Sequence, residues 1–111
     1  MTVQDVDIVQ RLEQMLESRK GALASDSYVA TLYLEGIDAI LKKIGEEAVE
    51  TIIAAKGADR KAVIHEIADL VFHVLIMLRA KDIRFDEVLS ELARREGLSG
   101  LEEKGSRGKP E

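Results

Sequence analysis

Residues 37–81 read IDAILKKIGEEAVETIIAAKGADRKAVIHEIADLVFHVLIMLRAK, and their periodicity decides the fold. Ile37, Ile40, Leu41, Ile44, Ala48, Ile52 and Ala55 recur at the helical period, so they mark one apolar stripe on a helix from about Ile37 to Lys56. Gly57 ends that helix. Asp59 offers an N-cap for the next, from about Arg60 to Lys81. A link this short makes the two helices antiparallel neighbours. The second is apolar around most of its circumference, through Ile64, Ile67, Leu70, Val71, Phe72, Val74, Leu75 and Leu78. Such a helix must be buried on most sides. A single small chain can hardly bury it, so the pattern predicts a homo-oligomer, most simply a two-fold homodimer.

Upstream, Ile8, Leu12, Met15 and Leu16 share a stripe on a helix from roughly Asp7 to Lys20, with Gly21 as its stop. Ser25, Asp26 and Ser27 each offer an N-cap for a short helix from Tyr28 to Leu34, which Gly36 ends. Downstream, a helix from about Asp86 to Glu96 is expected to turn Val88, Leu89 and Leu92 inward. The expected fold is all-α: an antiparallel bundle of four to five helices over residues 1–96, completed by dimerisation. Four glycines, a proline and many charges then predict a mobile C-terminal tail over residues 97–111.

The bulk properties exclude several classes. The chain has 111 residues, the size of one domain, and no cysteine. That removes disulfides, thiolate metal sites and a cysteine nucleophile. The N-terminal Met1 to Asp7 is acidic and lacks a secretory pattern. The longest apolar run, Leu70 to Leu78, is interrupted by His73 and falls far short of the ~20 residues that span a bilayer. A cytoplasmic protein without a membrane partner is expected. A net charge of −5 argues against nucleic acid as a partner. It leaves phosphorylated ligands open, because a bound cation inverts the local field.

Between Ala62 and Leu78 the only polar side chains are His65, Glu66, Asp69 and His73. Helical spacing puts them on one narrow strip that holds acids and imidazoles but no lysine or arginine. The preceding helix carries Glu46, Glu47 and Glu50. Two neighbouring helices thus each present acids at i, i+3: Glu47 with Glu50, and Glu66 with Asp69. Two like charges ~4 Å apart repel by about 4 kcal/mol at an effective dielectric of 20. A hard cation such as Mg²⁺, which takes oxygen ligands, relieves that repulsion. An ordinary solvated acidic face competes with this reading, most strongly for Glu46, Glu47 and Glu50, because Lys43 stands four residues before Glu47. His73 is either a partly buried histidine bonded to Asp69 or a support for a metal-bound carboxylate. His65 is expected at the surface with no role.

Glu46-Glu47-x-x-Glu50 followed by Glu66-x-x-Asp69 resembles the signature of the MazG-type all-α nucleotide pyrophosphohydrolases. Ser27-Tyr28-Val29-Ala30, Gly36, the run Ile40 to Glu50, Glu66-x-Ala68-Asp69-Leu70-x-x-His73 and the tail Gly97 to Lys104 narrow the match. Together they are similar to the phosphoribosyl-ATP pyrophosphohydrolase family, in its stand-alone form. The resemblance implies Mg²⁺ held by Glu47, Glu50, Glu66 and Asp69. It implies phosphoribosyl-ATP as substrate, split into phosphoribosyl-AMP and pyrophosphate in histidine biosynthesis, with Glu46 or Glu50 taking the proton of the attacking water. Lys42 and Lys43 become candidates for phosphate contact, Tyr28 for ribose or phosphate contact, and Lys104 and Arg107 for closing over the substrate from the tail. A housekeeping pyrophosphohydrolase of ordinary nucleotides would share the acids. A non-enzymatic helical oligomer would carry them as a solvated face. Metal dependence separates the last from both enzymes.

Overall fold

In the computed structural model, residues 3–97 are described, and every regular element among them is helical. The order is α1 (Val3–Ser18), α2 (Tyr28–Glu35), α3 (Ile37–Lys56), α4 (Arg60–Ala80) and α5 (Phe85–Glu96), with single 3₁₀ turns at Arg19–Gly21 and Ala24–Asp26. The caps follow the local chemistry. Of the three candidates before α2, Ser27 is the N-cap, its hydroxyl accepting from the Ala30 amide at 3.2 Å. Asp59 accepts from the amides of Lys61 and Ala62 at the start of α4. Gly36 separates α2 from α3 at φ 102°, in the left-handed region that glycine enters without strain. No helix among the described residues is long and apolar enough to cross a membrane.

α3 and α4 form a long antiparallel hairpin. α1 and α2 pack across one end of it, and Leu16, Val29, Leu32, Ile40, Leu75, Ile76 and Leu78 close the core there. Tyr33 ties α2 to α1 by donating to the Leu16 carbonyl at 3.0 Å. Arg79 of α4 sits between Glu13 and Glu17 of α1. Glu13 also accepts from the Phe85 amide, which fixes where α5 begins. The other end of the hairpin is uncovered: Val49, Ile52, Ile53, Ile64, Ile67 and Val71 are exposed. The Cα radius of gyration is 16.4 Å, against about 13 Å for a compact domain of this size.

Two sequence expectations fail here. Leu89 and Leu92 do not turn inward: they are 47 % and 54 % exposed, and only Val88 of that trio packs on the core. The α3 stripe is buried at Ile40 but not at Ile37, Leu41, Ile52 or Ala55. For Leu89, Leu92, Ile52 and Ala55 the cause is the same. An amphipathic face is buried only as far as other elements extend over it, and α1 and α2 stop short.

Candidate active site

The acids lie where the covered part of the hairpin gives way to the bare part. α3 brings Glu47 and Glu50 to the groove between the helices, and α4 brings Glu66, Asp69 and His73 to meet them. Ligand atoms of Glu47, Glu50 and Glu66 all lie within 4.8 Å of one another. So do those of Glu47, Asp69 and His73. Glu47 belongs to both sets and is 5 % exposed, whereas Glu50 faces solvent. One carboxylate oxygen of Glu47 and one of Glu66 are buried without a hydrogen-bond partner. A buried anionic oxygen with no partner is costly, and here two point into the same cluster.

The electrostatics reflect that crowding. Burial, then the adjoining Glu50 and Asp69 carboxylates, push the Glu47 carboxyl up to about 7. Desolvation and the neighbouring Glu50 raise Glu66 in the same direction. Lys43 answers part of this charge, with Nζ 3.4 Å from Glu46 and 3.7 Å from Glu47. Its ammonium is held above the usual lysine range by the nearby Tyr28 oxygen, with Glu46 and Glu47 adding to it. An acid cluster with unpartnered buried oxygens, rimmed by one lysine, can bind a cation and hold an anionic group next to it.

His73 is buried, 3 % exposed. Its Nδ1 lies 2.8 Å from the backbone carbonyl of Asp69, while the Asp69 carboxylate is 3.9 Å away. The bond expected between His73 and Asp69 is made to the Asp69 main chain. Nε2 meets the Tyr28 hydroxyl at 2.8 Å, and the two rings stand edge to face. Glu46 belongs to neither ligand set and pairs with Lys43. Lys42 is exposed and forms no ion pair among the described residues, and His65 is exposed. Lys104 and Arg107 lie outside the described residues.

Sequence reading overlooked Thr51. Its hydroxyl lies 2.8 Å from the Glu47 carbonyl on α3 and 3.3 Å from the Glu66 carbonyl on α4, clasping the helices beside the acids. A helical threonine bonding back four residues is common, so nothing in the spacing singled it out. Two concavities of about 420 and 450 Å³ lie elsewhere, one beside Glu13 and Arg79, the other beside Tyr33 and Gly36. The acid groove itself stands open on the side of the bare helices.

The sequence model of the family described as phosphoribosyl-ATP pyrophosphohydrolase matches residues 9–96. A phosphoribosyl-ATP pyrophosphatase of Ruthia magnifica is 52 % identical over 101 residues, covering 91 % of this chain and 96 % of that protein. One from Methylococcus capsulatus is 51 % identical over 102 residues, covering 92 % and 97 %. One from Nitrosomonas eutropha is 56 % identical over 100 residues, covering 90 % and 86 %.

Proposed function

The chain belongs to the phosphoribosyl-ATP pyrophosphohydrolase family, and we propose that it hydrolyses phosphoribosyl-ATP to phosphoribosyl-AMP and pyrophosphate. The reaction is the second step of histidine biosynthesis, in the cytoplasm. The observation that carries the chemistry is the pair of unpartnered buried oxygens on Glu47 and Glu66, set among four carboxylates. The four carboxylates offer oxygen donors only, and hard oxygen donors suit Mg²⁺; both ring nitrogens of His73 face other partners, the Asp69 carbonyl and the Tyr28 hydroxyl. Glu47, Glu50, Glu66 and Asp69 would hold it. When bound, Mg²⁺ offsets the charge of the triphosphate and makes a water more acidic. Glu50, the solvent-facing member of the cluster, takes the proton of the attacking water. Glu46, 3.4 Å from Lys43 Nζ, directs that ammonium at the rim, where it holds a phosphate oxygen.

The working form is a homodimer. The bare stretch of α3 and α4, with Ile52 at 62 % and Ile53 at 67 % exposure, adjoins the open side of the acid groove. A second copy laid there would bury those residues and wall the site. The function is tested by pyrophosphate release from phosphoribosyl-ATP in Mg²⁺ and in EDTA, with dUTP, dCTP and ATP beside it. The expected result is Mg²⁺-dependent turnover, with kcat/KM highest for phosphoribosyl-ATP. Equal turnover of any ordinary nucleotide would make this a housekeeping pyrophosphohydrolase instead.

A further inference from the structure

The contact between Tyr28 and His73 lies beside the acids but is not explained by metal binding. Its direction follows from the partners. His73 Nδ1 faces the Asp69 carbonyl at 2.8 Å. A carbonyl oxygen only accepts, so Nδ1 carries the ring hydrogen and Nε2 of the neutral imidazole is left with a lone pair. With the ring in that form, the Tyr28 hydroxyl, 2.8 Å from Nε2, gives its single hydrogen to His73. What remains on the phenol oxygen is acceptor capacity alone. His73 is too buried to swing away, and Phe72 stands against its ring at 5.7 Å. Tyr28 is 51 % exposed and opens α2 directly after the Ser27 cap, so its ring is fixed while its edge stays accessible.

We propose that His73 is a positioning residue that takes the Tyr28 hydroxyl hydrogen, so that Tyr28 offers an acceptor-only oxygen to an O–H donor of the bound substrate complex. The donor is a ribose hydroxyl or a water carried on the metal. The pair acts as a reader: a ligand with an O–H at this point gains a bond, and one without it leaves the oxygen unpaired. Tyr28 and His73 are 45 residues apart in the chain, so only the packing of α2 against the hairpin creates the reader. The inference rests on the hydrolase reading above.

The test begins with the ¹⁵N spectrum of the His73 ring in the parent protein, assigned with a His65→Gln variant. The Nδ1–H tautomer is expected; a hydrogen on Nε2, in the other tautomer or in a doubly protonated ring, overturns the proposal. Steady-state kinetics on phosphoribosyl-ATP then compare Tyr28→Phe, His73→Leu, His73→Gln and the Tyr28→Phe/His73→Leu double variant, each checked for a cooperative melt. Tyr28→Phe should weaken the reaction about three- to tenfold, the usual worth of one hydrogen bond. His73→Leu should match it, the double variant should be no worse than either, and His73→Gln, which keeps an acceptor near Nε2, should fall closer to the parent. A change in KM alone identifies the ribose hydroxyl as the donor. A lower kcat with a higher Mg²⁺ requirement identifies metal-bound water. Multiplying effects in the double variant, or Tyr28→Phe within twofold of the parent, overturn the proposal. A parent inactive on phosphoribosyl-ATP would remove the hydrolase reading, and the tautomer would then decide the Tyr28–His73 arrangement by itself.

Discussion

The two ends of the α3–α4 hairpin are made of the same kinds of residue and meet different surroundings. Where α3 starts and α4 finishes, Ile40, Leu75, Ile76 and Leu78 are closed in by α1 and α2. Toward the hairpin turn, Ile52, Ile53 and Ile64 stand more than half exposed. The acids occupy the border, with Glu47 sealed on the covered side and Glu50 open to solvent. The difference teaches that an apolar face tells how much burial a helix needs, not what supplies it. It also shows a buried carboxylate at the edge of the core: Glu47 is held in place by the covered side, and a cation in the open groove would balance its charge.

The largest effect that would break this comparison is on assembly. With the bare end covered by a second copy, the double substitution Ile53→Lys/Ile64→Lys should convert the dimer to monomers. Sedimentation equilibrium at micromolar protein reads the change directly. A parent that is itself monomeric would mean that the exposed end faces water in solution.

Next comes stability. Ile40→Ala, at a fully buried position, should lower the unfolding free energy by about 2–5 kcal/mol at any protein concentration. Ile53→Ala should cost more as concentration rises, because its loss is felt through association. Urea unfolding at two concentrations separates the two ends. A concentration-independent cost at Ile53 within about 0.5 kcal/mol, the usual range for a surface change, would deny it a partner.

At the border, Asp69→Asn should lower kcat/KM by about a hundredfold or more, since even groups that merely orient metal ligands cost 10- to 100-fold when removed. The same change should leave the EDTA-treated protein folded, or raise its stability by ~0.5–1 kcal/mol as repulsion is relieved. A large fall in melting temperature would make Asp69 a structural residue.

The smallest effect is the pH dependence of the metal-free protein. The Glu47 carboxyl titrates at about 7 in the folded state, above the ordinary value of 4.5. A raised acid contributes stability while it stays protonated below its unfolded value. That contribution is lost as pH rises toward the folded one. In EDTA, melting temperature should therefore fall by a few degrees between about pH 5 and pH 7. Mg²⁺ above that range should restore it, and Glu47→Gln should flatten the trend. A melting temperature that climbs through this window would place Glu47 in a different environment.

Much of this was legible in the sequence because it depends on neighbours along the chain. The 3.6-residue period located all five helices, and Asp59 and the serine cluster before Tyr28 announced two caps. Spacing at i, i+3 put Glu47 beside Glu50, and those two share a cluster with Glu66. Charge, length and the lack of cysteine limited the chemistry that such acids can do.

What spacing could not supply was depth and long-range meeting. Glu46 and Glu47 are adjacent acids on one helix and both approach Lys43, yet Glu46 is exposed and Glu47 is buried. A rotation of about 100° per residue separates them, and only the partner helix gives that angle its meaning. Leu89 and Leu92 look like core residues by period but are exposed, because nothing among the described residues extends over α5. Tyr28 and His73 carried no mutual signal. Their bond exists because α2 packs against the α3–α4 hairpin, and a contact 45 residues apart is set by packing, which sequence distance does not encode.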